Sequence, residues 1–146
     1  MTSAPMALES LQATLAAEHA AIYVYGALGG RVSATGSPGD SLGLTRLLSS
    51  AYEAHRARRG RLETAISELG EIPVAAEVAY DLVTPAMTDA QLRQEAQGIE
   101  QRCAVTYAAG VAATTDRERS LLVDALIDAA VRGLSFGAEA TAFPGN

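Results

Sequence analysis

The sequence contains no lysine, no tryptophan and only one cysteine, and these scarcities limit the kinds of core and cross-link that the protein can form. All eleven basic residues are arginine, which we interpret as the codon bias of a GC-rich genome. A single cysteine, Cys103, excludes an internal disulfide, and its apolar helical neighbours predict a small buried side chain rather than a nucleophile. With two phenylalanines, the core must consist mainly of alanine, leucine, valine and isoleucine, which suits closely packed helices.

Features of membrane, secreted and nucleic-acid-binding proteins are also missing. No apolar run is long enough to span a bilayer. Residues 1–10 contain neither the basic start nor the apolar run of a secretory signal, so we expect a cytoplasmic protein. A formal net charge of −6 argues against a nucleic-acid surface. The length of 146 residues suits one domain and is too short for two ordinary ones.

Breaker residues divide the chain into four helical segments, and no strand-like alternation occurs. The predicted helices cover about residues 6–32, 42–69, 88–113 and 115–141. Thr88 with Gln91, and Thr115 with Glu118, have the spacing of a capping box at the last two helix starts. The pattern therefore predicts an all-α protein.

The connection between the second and third helices, residues 71–87, is long for a helical bundle. A segment of this length can run along the bundle and let those two helices lie parallel. It also has room for a short helix near residues 75–82. We therefore predict a four-helix bundle with one long crossover connection, as a single domain over residues 1–146.

Polar side chains interrupt the apolar faces of three predicted helices. Glu18 lies on the apolar stripe of the first helix, His55 on that of the second and Glu100 on that of the third. A carboxylate is costly to bury unless a cation, hydrogen bonds or a metal ion compensates it. Carboxylates and imidazole together suit iron, manganese or zinc. The alternative is a metal-free buried polar cluster, which would include Tyr25 and Tyr52.

Two other polar groups are weaker candidates. His19 points about 100° around the helix from Glu18, so we expect it to be peripheral. The arginines of residues 56–61 are surrounded by glutamates, which favours a solvated or interhelical ion-pair face over a phosphate site.

The fourth helix is polar along one narrow stripe and apolar elsewhere. The stripe consists of Asp124, Asp128, Arg132, Ser135 and Glu139. We interpret it as the solvent face, which makes Asp124 and Asp128 poor ligand candidates. The apolar arc is wider than neighbouring helices need to cover, so we expect a homodimer through this helix.

The segments around Glu18 and His55 resemble the ferritin-like superfamily of bacterioferritin- and rubrerythrin-type bundles. Residues 15–25, LAAEHAAIYVY, are similar to a first helix in which the Glu ligates iron and a Tyr follows seven residues later. Residues 52–55, YEAH, resemble the second helix, and residues 69–73, LGEIP, its end. Glu100 matches the third-helix ligand. The composition and the terminal FPG also look like a small actinobacterial ferritin-like family of unassigned function.

The resemblance implies a metal site that is incomplete here. Such proteins hold two metal ions with six side chains, one Glu from each of two helices and a Glu-x-x-His from each of the others. Tyr52 stands where the first Glu of the second-helix motif belongs, and the fourth helix has no His. At most Glu18, His55 and Glu100 remain, enough for one iron or manganese ion but not for a bridged pair.

Three functional hypotheses follow. We favour a ferritin-like bundle that has lost di-metal chemistry and acts as a non-enzymatic binding or structural protein with no catalytic residue. The alternative is a metal-dependent oxidoreductase that uses Glu18, His55 and Glu100, with Tyr25 or Tyr52 nearby. The third is a carrier that holds an apolar ligand between alanine-rich helices.

Overall fold

The computed structural model describes residues 3–32, 38–80 and 87–146. Within these ranges the chain forms four helices: α1 (Ser3–Gly29), α2 (Pro38–Glu68), α3 (Asp89–Ala113) and α4 (Asp116–Ser135). The same ranges contain no strand, so the all-α four-helix prediction is confirmed. None of these helices combines the length and the apolar character needed to cross a membrane.

Contacts across the bundle give the helix directions. His55 contacts Glu100, and Arg58, one turn further along α2, contacts Tyr107, further along α3. Because the residue numbers rise together, α2 and α3 lie parallel, as the long connection predicted. Only residues 114–115 separate α3 from α4, and these two helices pack against each other as an antiparallel pair.

The core lies between α1, which packs on α2 and α3, and α4, which packs chiefly on α3. Gly110 allows the closest approach: a Cβ there would lie 2.7 Å from Leu122 Cδ1 and 3.0 Å from Ser10 Oγ. The largest fully buried side chains are Leu11, Leu15, Tyr25, Leu28, Leu44, Leu48, Leu62, Ile66, Leu92, Tyr107, Leu122 and Phe136.

Helix α3 begins with the predicted capping box. The backbone N–H of Gln91 donates to Thr88 Oγ1 at 3.2 Å, and the backbone N–H of Thr88 donates to Gln91 Oε1 at 2.8 Å. The capping box predicted at Thr115 is wrong, because the Thr115 side chain makes no cap hydrogen bond. Asp116 there has a φ of 50°, unlike the helical backbone that the motif requires.

Two helix ends differ from the prediction. Helix α4 ends at Ser135 rather than near residue 141, because Gly137 adopts a φ of 100° and the N–H of Ala138 donates to Gly133 O, a C-terminal capping arrangement. Helix α1 ends at Gly29 instead of residue 32, because the adjacent glycines at positions 29 and 30 weaken the helix.

Residues 71–80 form no helix, so the short helix predicted near residues 75–82 is absent as far as residue 80, and residues 81–82 lie outside the described ranges. The backbone here pairs with α1 instead. Gln12 Nε2 donates to Ile72 O and Gln12 Oε1 accepts from Val74 N, both at 2.8 Å. This part of the connection therefore runs along α1.

Candidate functional site

Helices α1, α2 and α3 bring Glu18, His55 and Glu100 together in the centre of the bundle. His55 Nδ1 lies 2.6 Å from Glu18 Oε2, and His55 Nε2 lies 3.2 Å from Glu100 Oε1. All three side chains are at most 2% exposed. Since both ring nitrogens face carboxylate oxygens, the arrangement suits an imidazolium that donates from each nitrogen.

Two tyrosine hydroxyls donate hydrogen bonds to the same carboxylates. Tyr25 donates to Glu100 Oε1 at 2.5 Å, and Tyr107 donates to Glu18 Oε1. The Tyr25 ring also stacks on the His55 ring, with centroids 5.3 Å apart. Burial, together with the negative charges of the carboxylates, raises the pKa of both hydroxyls far above the usual value, so both stay protonated donors.

Tyr52, the other tyrosine assigned to the cluster from the sequence, lies elsewhere. Its half-buried ring packs beside Gly26 of α1 and under the Arg56 guanidinium, 5.6 Å from the ring centroid. Tyr107 supplies the second hydroxyl instead. The sequence offers a signal for this role, because Tyr107 lies two helical turns after Glu100 on the same face of α3.

Arg58 also belongs to the site, through interhelical ion pairs, one of the two alternatives that the sequence favoured for residues 56–61. Its Nη1 donates to Tyr107 OH at 3.0 Å and lies 3.7 Å from Glu18 Oε1. Its Nη2 donates to Asp128 Oδ2 at 2.6 Å. The side chain is only 10% exposed. The available signal was its spacing, three residues after His55 on the inner face of α2.

Arg132 corrects the interpretation of the polar stripe on α4. Its side chain is 11% exposed, and Nε lies 3.4 Å from Glu100 Oε1, while Nη2 donates to Asp128. Arg132 therefore faces the buried cluster, and Asp128 lies at its edge with 43% of its side chain exposed. The reason is electrostatic: buried carboxylates on α1 and α3 attract the cation that α4 offers. The other stripe residues, Asp124, Ser135 and Glu139, are exposed as predicted.

The buried cluster balances its charges when the imidazole is protonated. It holds the buried carboxylates of Glu18 and Glu100, the 43% exposed carboxylate of Asp128 at its edge, and three cations, from His55, Arg58 and Arg132. Burial by itself lowers the pKa of His55, but hydrogen bonds to Glu100 and Glu18 and their negative charges raise it above its ordinary value. A set of charges that sums to zero is the arrangement that the interior of a bundle tolerates.

The cluster fits a metal ion poorly. A metal-binding imidazole presents one unprotonated nitrogen to the ion, whereas both nitrogens of His55 face carboxylates. Arg58 and Arg132 already place positive charge beside Glu18 and Glu100. Among the described residues, no group of three His, Cys, Asp or Glu side chains has the geometry to hold a metal ion.

Residues 10–146 match the model of a protein family described as a domain of unknown function, DUF4439. The chain belongs to this family. Its fold is similar to the crystal structure of a conserved hypothetical protein, rv2844, from Mycobacterium tuberculosis, with a TM-score of 0.80. The two share 26% identity, over 92% of this chain and 97% of that chain. A search of curated proteins finds no significant match.

Two further candidates lie outside the cluster of this DUF4439 domain. His19 is buried on another side of α1, where its Nε2 lies 3.0 Å from Val74 O in the connection. Cys103 is buried next to the cluster, and burial, followed by the charges of Glu18 and Glu100, raises the pKa of its thiol above the usual range. The thiol therefore stays protonated, which fits the structural role predicted for it.

Proposed function

We propose that this DUF4439 chain is a non-enzymatic binding or structural protein, built on a ferritin-like bundle whose centre works without a metal ion. One observation carries the proposal. Arg58 and Arg132 lie beside Glu18 and Glu100, in the part of the bundle where ferritin-like proteins hold metal ions. The arginines supply positive charge that a metal would otherwise supply.

Metal entry would have to break this pairing. Arginine stays protonated at any ordinary pH, so its charge cannot be removed to make room for a cation. Breaking a buried ion pair costs about 3–5 kcal/mol. A metal ion would also need His55 to lose a proton that hydrogen bonds to Glu18 and Glu100 stabilise.

Elemental analysis tests the proposal. The full chain is purified without chelators, and its iron, manganese and zinc are measured per chain, together with those of the His55→Ala variant. We expect far less than one metal ion per chain in both proteins. Stoichiometric metal in the wild type that disappears in His55→Ala would overturn the proposal.

The alternative is a metal-dependent oxidoreductase with Glu18, His55 and Glu100 as ligands for iron or manganese. Its support is the convergence of these three side chains on one centre. Under this alternative the wild-type protein, loaded with ferrous iron or manganese, would consume dioxygen in a reaction that requires the metal. His55→Ala would abolish this reaction, whereas Tyr52→Phe, outside the cluster, would not.

We also propose that the protein forms a homodimer through α4. Four apolar side chains, each at least 36% exposed, are spaced by four, four and three residues along one face of that helix: Val123, Ile127, Val131 and Leu134. A self-complementary stripe of this kind suits a two-fold contact. It is the apolar arc that the sequence predicted.

Sedimentation equilibrium tests the dimer. We expect a dimeric wild type and a monomeric Ile127→Glu variant, because the charge would be buried in the contact. Val105→Glu is the matched control, since Val105 on α3 is 48% exposed, compared with 58% for Ile127. A monomeric wild type, or an equal effect of both variants, would contradict the proposal.

A further inference from the structure

A groove of about 410 Å³ lies between α3, α4 and the segment that follows α4. The volume falls within the range of small-ligand sites, roughly 300–1,000 Å³. Residues 138–141 and Pro144 contribute one wall. The groove shares one edge with the α4 stripe that we assign to the dimer, because Val131 and Leu134 belong to both.

The wall after α4 is held in place at both ends. Gln97 Nε2 donates to Phe136 O at 2.8 Å. At the other end Gly145 has a φ of 88°, and a Cβ there would lie 2.5 Å from Ala104 O and 2.8 Å from Ala108 Cβ. Only glycine allows the chain to approach α3 this closely in this conformation. The position of this wall is therefore fixed by its contacts with α3.

The chemistry of the lining is acidic and apolar. Glu139 contributes an exposed carboxylate and Glu100 a buried one, the glutamines at positions 94, 97 and 101 add neutral polar groups, and no arginine is among the lining residues that the structure describes. Apolar side chains form most of the remaining walls: Ala104, Ala129, Ala130, Val131, Leu134, Ala138, Ala140 and Pro144. A ligand that suits this lining carries positive charge on a short apolar body.

Glu100 joins the groove to the buried cluster. Its Oε1 takes the contacts from Tyr25, His55 and Arg132. Its Oε2 is buried and accepts no hydrogen bond from the part of the chain that the structure describes. An ionised carboxylate oxygen without a donor is energetically costly inside a protein, so this atom favours a ligand that donates hydrogen bonds.

We propose that the groove binds a small organic ammonium ion, with the ammonium donating to Glu100 Oε2 and the alkyl body lying along Ala104 and Ala130. An ammonium group has three donors and no acceptor, which complements an acceptor-only carboxylate. Glu139 adds a second negative charge. Arg132 keeps its contact with the other oxygen of Glu100. This inference rests on the binding role proposed above and names the class of ligand.

The probe is n-butylammonium, added to the ¹⁵N-labelled full chain and followed by NMR, with 1-butanol and butyrate as neutral and anionic counterparts. We expect butylammonium to shift the amides of residues 97–104 and 129–134. Because it donates to a charged acceptor, it should bind at least about tenfold more tightly than butanol. Equal binding of butanol, or shifts confined to other residues, would overturn the proposal.

Matched variants separate the groove from the general attraction of a chain with a net charge of −6. Glu139→Gln should weaken butylammonium about two- to fivefold, the usual effect of an exposed charge. Asp124→Asn, exposed on α4 outside the groove, should change nothing. Equal weakening by the two variants would mean that no specific site exists.

Two further variants test the contact with Glu100 and the space available inside the groove. Glu100→Gln should lower the affinity at least about tenfold. Since that substitution also disturbs the buried cluster, Ala130→Phe provides an independent test by filling the groove, and it should abolish the shifts. Ala109→Phe, exposed on α3 away from the groove, is its control. Retained binding in Ala130→Phe would overturn the proposal.

Measuring the metal content of the same wild-type sample distinguishes a failure of this inference from a failure of the proposed function. A metal-free protein whose groove amides do not respond to butylammonium contradicts this inference and leaves the metal-free centre standing. Stoichiometric metal contradicts the proposed function, whatever the titration gives.

Discussion

His55 Nδ1 lies 2.6 Å from Glu18 Oε2, and both side chains are completely buried. A buried imidazolium–carboxylate contact stabilises the folded chain only while the imidazole carries its proton. The second nitrogen of the same ring faces Glu100, so the imidazolium links two carboxylates from α1 and α3. The centre of the bundle is therefore organised around one proton-bearing side chain.

Stability should decrease as the pH rises above neutrality. The pKa of His55 is raised in the folded protein, whereas an unfolded histidine titrates near 6.5. The stabilisation is therefore complete below about pH 6.5 and is lost as the pH rises through the folded-state pKa. Urea unfolding between pH 6 and 8 measures this slope. In His55→Gln, stability should be lower and its pH dependence weaker, and identical slopes in the two proteins would contradict the assignment.

Removing either cluster hydroxyl should destabilise the protein by about 1–3 kcal/mol, because a buried carboxylate loses a donor. Tyr25→Phe removes the bond to Glu100, and Tyr107→Phe removes the bond to Glu18. Tyr23→Phe is the control, since Tyr23 is 39% exposed and packs on Tyr80. It should change the free energy of unfolding by less than about 0.5 kcal/mol. Chemical denaturation measures all three, and equal losses in all would argue against the cluster.

Chelation should leave the thermal stability unchanged. A metal that binds only the folded state stabilises it by about 2.7 kcal/mol at a concentration one hundred times the dissociation constant. If the centre works without a metal, neither EDTA nor added Mn²⁺ should move the melting temperature. A rise with Mn²⁺ that is absent in Glu18→Gln would support the oxidoreductase alternative.

Two glycine-to-alanine substitutions should have opposite signs. Gly110→Ala places a Cβ 2.7 Å from Leu122 Cδ1, and overpacking of this kind costs about 1–3 kcal/mol. Gly60 lies at an exposed position of α2, and a Cβ added there would meet nothing within 4 Å. Gly60→Ala should therefore stabilise the helix by up to about 1 kcal/mol. Thermal unfolding distinguishes them. A destabilising Gly60→Ala would show that the space around α2 is filled by a partner.

Part of the centre could be predicted from periodicity alone. Glu18, His55 and Glu100 each interrupt an apolar stripe, and helices that pack through such stripes bring these positions together. The arginine partners could not be assigned in the same way. Arg58 and Arg132 have long side chains whose direction depends on which helix lies opposite. The polar stripe of α4 therefore suggested a solvent face, although Arg132 faces Glu100.

The sequence by itself determined the number of helices in the described ranges, the long connection and the three polar positions of the inner faces. These follow from local breakers and from the 3.6-residue period, which depend on neighbours along the chain. Only the tertiary structure decided what compensates the buried charge. Arg58 and Arg132 approach Glu18 and Glu100 from other helices, and no spacing within one helix encodes a distance between two of them. The same packing decided which oxygen of Glu100 accepts no hydrogen bond.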